Sequence, residues 1–338
     1  MKCRRSMKED HMEIRKLEQA EYPAALTLAW QVFLEFEAPD YPQEGVETFR
    51  KLLADEDYRK EICVYGAFEA AVLVGMLATR WNGNHISLLF VDRNYHRRGI
   101  GKRLFALAVR DNTSGKMTVN AAPYAVEIYR HLGFRPTGPE ETTDGIRFTH
   151  MELELLDVVD ENGMPTGEVV PREKAHELGI RHRTAHVWLV RFRASEAEIL
   201  LQKRCEQKDS WPGCYDISSA GHIPAGVDFI PSAIRELQEE LGVKAMPEEL
   251  IFCGNRCICA DGEFHGRPFH DRQYSRVFAL LWDREESAFS LQQEEIDAVR
   301  WMKLEDCLEA VKQNTIRHCI YPEELELVQK AVAGMVGR

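Results

Sequence analysis

The run Gly221-His-Ile-Pro-Ala-Gly-Val-Asp-Phe-Ile-Pro-Ser-Ala-Ile-Arg-Glu-Leu-Gln-Glu-Glu-Leu-Gly-Val243 constrains this chain more than any other stretch. Proline is tolerated in the first turn of a helix, so Ile230-Pro231 predicts a helix start. Leu241-Gly242 predicts its end, since glycine commonly follows a last helical residue. Ile234, Leu237 and Leu241 recur at helical spacing and predict the buried stripe. Glu236, Glu239 and Glu240 stand at i, i+3 and i+4 and are expected to share the other face. Three gathered carboxylates repel one another unless a cation sits among them. An all-oxygen set of this kind suits Mg²⁺ or Mn²⁺. Arg235 lies beside them, placed to orient a carboxylate or hold a phosphate.

Gly221, the loop after it and the Arg-Glu-Leu-x-Glu-Glu-x-Gly core together resemble the Nudix box. The resemblance implies Glu236, Glu239 and Glu240 as metal ligands, with Glu236, Glu239 and Arg235 in catalysis. One position departs from the box. Val227 stands where the family has a glutamate that mainly braces the loop against the helix, and Asp228 is its neighbour.

A chain of 338 residues is too long for one ordinary core and suits two domains. A net charge of −12 argues against a nucleic-acid polymer or an anionic membrane as partner and leaves small-molecule substrates. Oligomeric state cannot be read from the sequence. Met-Lys-Cys-Arg-Arg-Ser at the start has no apolar segment behind it, and no apolar run approaches the ~18 residues of a membrane helix. Nine scattered cysteines without framework spacing predict reduced thiols and a cytoplasmic protein. Cys253, Cys257 and Cys259 with His265 and His270 fit no standard zinc spacing. They are expected to be incidental thiols on a strand end and loop.

Residues 1–155 alternate helical and strand patterns after a polar leader over 1–11. Strands are expected near 12–17, 62–68, 71–79, 85–91 and 116–120, with a last strand near 148–155. Helices are expected over about 18–37, 47–54 and 102–110. Between the strand at 85–91 and the helix at 102–110 lies Asp92-Arg-Asn-Tyr-His-Arg-Arg-Gly-Ile-Gly-Lys-Arg103. A helix start presents outward backbone amides with partial positive charge. Gly99 and Gly101 let a phosphate approach them, and Arg97, Arg98, Lys102 and Arg103 add formal charge. A pyrophosphate cradle is the reading. The following Ala121-to-Phe134 segment is read as a helix ending at Gly133.

These two segments resemble motifs A and B of the GNAT acetyltransferases. The resemblance implies acetyl-CoA as cosubstrate, held by His96, Arg97, Arg98, Gly99, Ile100, Gly101 and Lys102, with His96 at a position usually Gln or Arg. Val91 would meet the pantetheine and acetyl group through its backbone, and Asn120 matches a strand-end position near the pantetheine arm. Tyr129 matches the tyrosine that protonates the leaving thiolate. Glu35, Glu37 and Asp40 lie where such folds vary and recognise substrate, which leaves the general base open.

Residues 156–338 open on a hairpin with an Asn-Gly turn, 156–170. A short helix is expected over 171–178. Strands are expected over 184–192, 198–203, 250–253, 275–282 and 298–302, and final helices over 304–312 and 322–332. This half resembles the Nudix branch close to isopentenyl-diphosphate isomerase, on Leu156-Asp-Val-Val-Asp160, Ala175-His176, Arg181-His182, Lys203-Arg204, Trp211-Pro-Gly213 and Gly221-His222. The resemblance implies a second metal held by His176, His182 and His222, and a diphosphate gripped by Lys203, Arg204 and Lys208. The isomerase's catalytic cysteine falls at Ala220, and its facing glutamate at Gln273, with Asp271 nearby. Alanine moves no proton, so the complete carboxylate set favours hydrolysis.

The expectation is therefore an α/β protein (α+β in both halves), a GNAT fold followed by a Nudix fold, each a mixed sheet with flanking helices. The implied function is acetyl-CoA-dependent N-acetyl transfer joined to Mg²⁺-dependent hydrolysis of a nucleoside or other organic diphosphate. Two alternatives stay open: a sensor domain that binds without turnover, and an isomerase-like second half.

Overall fold

The computed structural model describes residues 12–112, 115–208, 210–264 and 266–335. The expected leader over 1–11, and His265, lie outside the described residues. The chain divides into two compact units, Met1–Leu155 and Leu156–Arg338.

In the first unit, β1 (Met12–Lys16) leads to α1 (Tyr22–Phe36), α2 (Gln43–Ala54) and α3 (Glu56–Glu61). Then come β2 (Cys63–Glu69), β3 (Val72–Arg80), β4 (His85–Val91), α4 (Ile100–Arg110), β5 (Lys116–Ala121), α5 (Val126–His131), β6 (Arg135–Thr143) and β7 (Ile146–Val159). The division between the units falls within β7, and β8 (Pro165–Pro171) pairs with that strand. The strand order is β1-β2-β3-β4-β5-β7-β6. All these neighbours are antiparallel except β4 and β5. α3 was not foreseen: it is polar, and what starts it is Asp55, whose carboxylate accepts from the Asp57 and Tyr58 amides. α5 begins later than the sequence suggests, because Pro123–Ala125 form a 3₁₀ turn first.

Alternation along β3 sorts the layers. Met76 and Ala78 join Val32 and Phe33 of α1 in one core. Gly75 instead lies under Ile100 and Leu104 of α4 on the other face, so helices cover both sides. The parallel pair β4 and β5 is joined only at His85–Thr118 and Ile86–Val119. Beyond Ile86 the two strands have no further pairing with each other.

The second unit has α6 (Arg172–Leu178), β9 (His182–Arg193), β10 (Glu196–Arg204), β11 (Tyr215–Asp216), β12 (Ser219–His222), α7 (Phe229–Leu241), β13 (Ile251–Phe264), β14 (Arg267–Leu281), β15 (Ile296–Lys303), α8 (Leu304–Gln313) and α9 (Pro322–Val332). The sheet order is β11-β10-β9-β14-β13, with β12 on β9 and β15 on β10. β9 and β14 run parallel. Ala185, Val187 and Leu189 face α7, while Trp188 and Val190 face α8 and α9. Both halves are thus mixed α/β, each a mixed sheet with flanking helices.

One expectation is corrected here. The segment read as a strand end and loop around Cys257 and Cys259 is a continuous strand, paired with β14 from Ile251–Ala279 to Phe264–Arg267. Burial alternates along its middle, with Asn255, Cys257, Cys259 and Asp261 exposed and Arg256, Ile258 and Ala260 turned inward, but the inward set includes Arg256 and the outward set two cysteines, so hydropathy does not follow the period of two. Cys257 and Cys259 are exposed free thiols, and His270 hydrogen-bonds Asp261 at 2.7 Å.

Candidate functional site

α7 is set by its ends. Asp228 caps it, accepting from the Phe229 amide at 2.7 Å, and Gly242 closes it in the left-handed region at φ +70°. Phe229, Ala233, Leu237 and Leu241 are buried, whereas Ile234 is only half-buried. The three glutamates do not share one environment as expected. Glu239 is exposed, Glu236 half-buried and Glu240 buried. Glu240 lies at the edge of the apolar stripe and accepts from the Ala220 amide at 3.3 Å. Burial, reinforced by the neighbouring Glu236 charge, pushes its carboxyl up to about 8, against hydrogen bonds that pull it down. Arg235 contacts Glu236 directly and lies 3.8 Å from Glu239. Gly221 explains itself: a Cβ there would stand 2.2 Å from the Glu236 Cδ. Only a residue without a side chain lets that carboxylate lie over the strand.

The departure at Val227 has a structural counterpart. Val227 packs on the apolar cluster under α7. The loop is braced from outside the helix instead. Arg183 donates to the Val227 carbonyl at 2.8 Å and to Asp157 at 2.6 Å, and Asp157 accepts from the Gly226 amide at 3.0 Å.

The histidines converge. His176 comes from α6, His182 from the start of β9 and His222 from the end of β12. One ring nitrogen of each lies within 4.8 Å of the others, and among the described residues no other such group forms. His176 Nδ1 lies 3.0 Å from the Arg172 carbonyl and His182 Nδ1 2.9 Å from the Ile180 carbonyl. Each Nδ1 therefore donates to its carbonyl, which in a neutral ring leaves Nε2 as a lone pair. His182 Nε2 is buried with no hydrogen-bond partner. Arg172 donates to His222 Nδ1 at 3.2 Å, and His222 Nε2 lies 3.4 Å from His176 Nε2. Burial holds His182 down at about 4 and His222 well below the ordinary imidazole value, so both are neutral at pH 7. Asp271 Oδ1, buried and without a hydrogen-bond partner, stands 3.9 Å from His176 Nε2. Burial raises that carboxyl to about 6. Gln273 donates to Asp271 at 3.0 Å, and Phe269 stacks on His176 at 4.5 Å. The Nε2 lone pairs of His176 and His182 and the Asp271 carboxylate are donors suited to Mn²⁺ or Zn²⁺, whereas His222, accepting from Arg172 at Nδ1, carries its proton on Nε2 and joins them in its other tautomer.

Of the three basic candidates, Lys208 is drawn in furthest. It pairs with Glu295, and burial lowers its ammonium to about 8. Lys203 is half-exposed, 3.6 Å from Asp297. Arg204 is engaged within the protein: its guanidinium bonds Asp216 at 2.9 Å and the Ser210 carbonyl at 3.1 and 3.2 Å, and its charge acts on both Lys208 and Glu240. Arg172 and the Asp157–Arg183 brace were missed. Arg172 stands four residues before His176 just after Pro171, a spacing that puts both on one helix face.

In the first unit, α4 starts at Gly99, in the left-handed region at φ +74°, and a Cβ on Gly99 or Gly101 would meet nothing within 4 Å. The space before the helix start is open. Lys102 is exposed, Arg98 pairs with Glu69 and lies over Tyr95 at 5.2 Å, and Arg103 is turned to the Met12 carbonyl at 3.1 Å. His96 folds back, its Nε2 2.8 Å from the Val91 carbonyl, so the imidazole and that backbone group satisfy each other. Asn120 accepts from His150 at 2.8 Å. Tyr129 is buried on α5, its ring edge-on to Phe134 at 5.4 Å. Burial raises its phenol above the ordinary value, so it stays protonated at neutral pH.

Residues 37–155 match the model of the acetyltransferase (GNAT) domain, and residues 180–322 match that of the NUDIX domain. An uncharacterised Nudix hydrolase of Clostridium acetobutylicum is 37% identical over 146 residues, covering 43% of this chain and 68% of its own. One from Pseudomonas aeruginosa is 30% identical over 180 residues, covering 53% and 93%. The chain belongs to the Nudix hydrolase family. Nudix hydrolase 3 of Arabidopsis thaliana is 41% identical over 159 residues, covering 46% of this chain, which spans only 20% of the plant protein's length. Among solved structures, an N-acetyltransferase from Thermoplasma acidophilum in complex with coenzyme A is 21% identical, covering 42% of this chain and 97% of its own at a TM-score of 0.34. A C. elegans Ap4A hydrolase is likewise 21% identical, covering 45% and 98% at 0.33. Among the described residues no helix is long and apolar enough to cross a membrane.

Proposed function

We infer that this Nudix family member is a bifunctional enzyme, in which residues 156–338 hydrolyse a nucleoside or other organic diphosphate and residues 1–155 transfer acetyl from acetyl-CoA to an amine. The observation that carries the hydrolase reading is the seating of Glu236 over Gly221 with Glu240 beneath it and Glu239 in solvent. These oxygens suit Mg²⁺, which would polarise the diphosphate and activate water when bound. Arg235 orients Glu236, and Lys208 and Lys203 supply charge for the diphosphate. His176, His182 and His222 would hold a second, softer ion. Ala220 offers no proton, which disfavours isomerase chemistry.

For the transferase, the open α4 start with Arg97, Arg98, Gly99, Ile100, Gly101 and Lys102 suits a pyrophosphate. The stretch of β4 from Ser87 to Val91, which has no partner on the β5 side, suits a pantetheine arm, with Asn120 at the end of β5 and His96 having to release the Val91 carbonyl. Tyr129, kept protonated, suits protonation of the departing thiolate. The test is a diphosphate panel with Mg²⁺ and Mn²⁺ on wild type and Glu239→Gln, read as phosphate and nucleotide release. Glu239 is exposed, so the fold survives the change. We expect release to fall by about 10²-fold or more; unchanged release refutes the hydrolase assignment.

A further inference from the structure

We propose that Glu37, enclosed by Tyr41, Tyr124 and Tyr129, is the site that binds the ammonium of a primary-amine acceptor and takes its proton. This rests on the acetyl-transfer reading. The C-terminal end of α1 bridges the segments that follow β4 and β5, the two strands that part after Ile86. On the β4 side, Arg93 pairs with Glu35 at 2.7 Å and the Phe36 and His96 rings stand 5.1 Å apart. On the β5 side, the Tyr124 hydroxyl donates to Glu37 at 3.4 Å. Glu37 thus sits between the two strands where a thioester carried along β4 would end.

The neighbouring acids do not qualify. Glu35 is neutralised by Arg93, and Asp40 is exposed. Glu37 is half-buried, and among the described residues no cation forms an ion pair with it. The groups facing it are Tyr41, itself near Arg147 and Glu140, together with Tyr124 and Tyr129. A carboxylate in a ring of phenols lacks a counter-ion, and an ammonium supplies one, with the aromatic faces adding cation–π attraction. Burial, partly opposed by hydrogen bonds from Tyr124 and Tyr41, holds the Glu37 carboxyl at about 7, a suitable value for a base near neutral pH.

The step balances. Glu37 takes one proton from R–NH₃⁺, and the freed lone pair attacks the thioester carbonyl carbon. As the C–S bond breaks, Tyr129 protonates the sulfur, and the amide N–H⁺ proton returns to the tyrosinate. Glu37 releases its proton to solvent, leaving amide, CoA thiol and one proton.

The test uses the full chain, Glu37→Gln and Tyr124→Phe with spermidine, lysine and ethanolamine. CoA binding and amine binding to CoA-saturated protein are followed by calorimetry, and thiol release from acetyl-CoA is followed from pH 6 to 10. We expect Glu37→Gln to bind CoA as wild type does, to lose amine binding, and to turn over on the order of 10²–10⁴-fold more slowly at pH 7. The gap narrows towards pH 10, where the amine arrives already deprotonated. A purely structural role would slow the enzyme equally at every pH. A pH-independent defect, wild-type turnover in Glu37→Gln, or no amine binding or turnover by CoA-loaded wild type overturns the proposal. Failure of the wild type to bind CoA overturns the acetyl-transfer reading beneath it.

Discussion

Replacing Gly221 with alanine isolates the box carboxylate without touching it. The new methyl would stand 2.2 Å from Glu236 Cδ, 2.4 Å from Cγ and 2.5 Å from Oε1. All three are side-chain atoms of a half-buried residue, so the backbone need not move and the cost in fold stability stays near 1–2 kcal/mol. The carboxylate, however, must retreat by about 1 Å, beyond the ~0.5 Å within which a catalytic constellation works. Misplacement of that size costs about 10²-fold in rate. The assay is nucleotide release from a diphosphate substrate across a Mg²⁺ titration, with a melting curve on the same sample. The expected variant melts within a few degrees of wild type, needs more Mg²⁺ for half-maximal rate, and is slower by about 10²-fold at saturation. Wild-type rate and Mg²⁺ dependence in a folded Gly221→Ala protein would show that the position of Glu236 does not matter, and the metal-site argument would fall with it.

Three further outcomes follow from the geometry. Arg204→Ala leaves Asp216 buried without its cation, so it should destabilise the second unit by about 3–5 kcal/mol; a lowered urea midpoint checks this, and a pure affinity loss at unchanged stability contradicts it. Val227→Glu should not raise hydrolysis and should lower the melting temperature, because the loop is held by Asp157 and Arg183 and the new carboxylate would press on an apolar cluster; faster hydrolysis would show that the brace is incomplete. His182→Ala should weaken Mn²⁺ or Zn²⁺ binding at least about 10-fold in equilibrium dialysis while leaving Mg²⁺ dependence of hydrolysis in place, and an unchanged affinity would discount the histidine site.

α7 was legible because its signals agree: a proline in the first turn, apolar residues at helical spacing and a terminal glycine. The environment of Glu240 was not, since a carboxylate at the edge of an apolar stripe goes inside only when a strand amide waits there, and Ala220 belongs to another element. β13 escaped notice because its inward face carries Arg256, paired with Glu324, and its outward face carries Cys257 and Cys259, so hydropathy does not follow the alternation of burial. Glu37 looked no better than Glu35 or Asp40 in one dimension. What separates them is Arg93 on one side and Tyr124 on the other, both brought in by distant parts of the chain.

Glu324 belongs to the same class and carries a consequence for how the second unit assembles. It stands on α9 yet is buried, accepting from His186 at 3.0 Å, Trp188 at 2.9 Å and Arg256 at 3.0 Å. Its bond to His186 joins positions 138 residues apart. Until that late helix arrives, the middle strand of the sheet holds His186 Nδ1 and the Trp188 indole N–H without their acceptor, and burying each costs about 1–3 kcal/mol. A half-built sheet is therefore penalised, and partial structures lacking α9 are held open to water. Contacts of such sequence separation form slowly, so docking of α9 is expected to be cooperative with completion of the sheet.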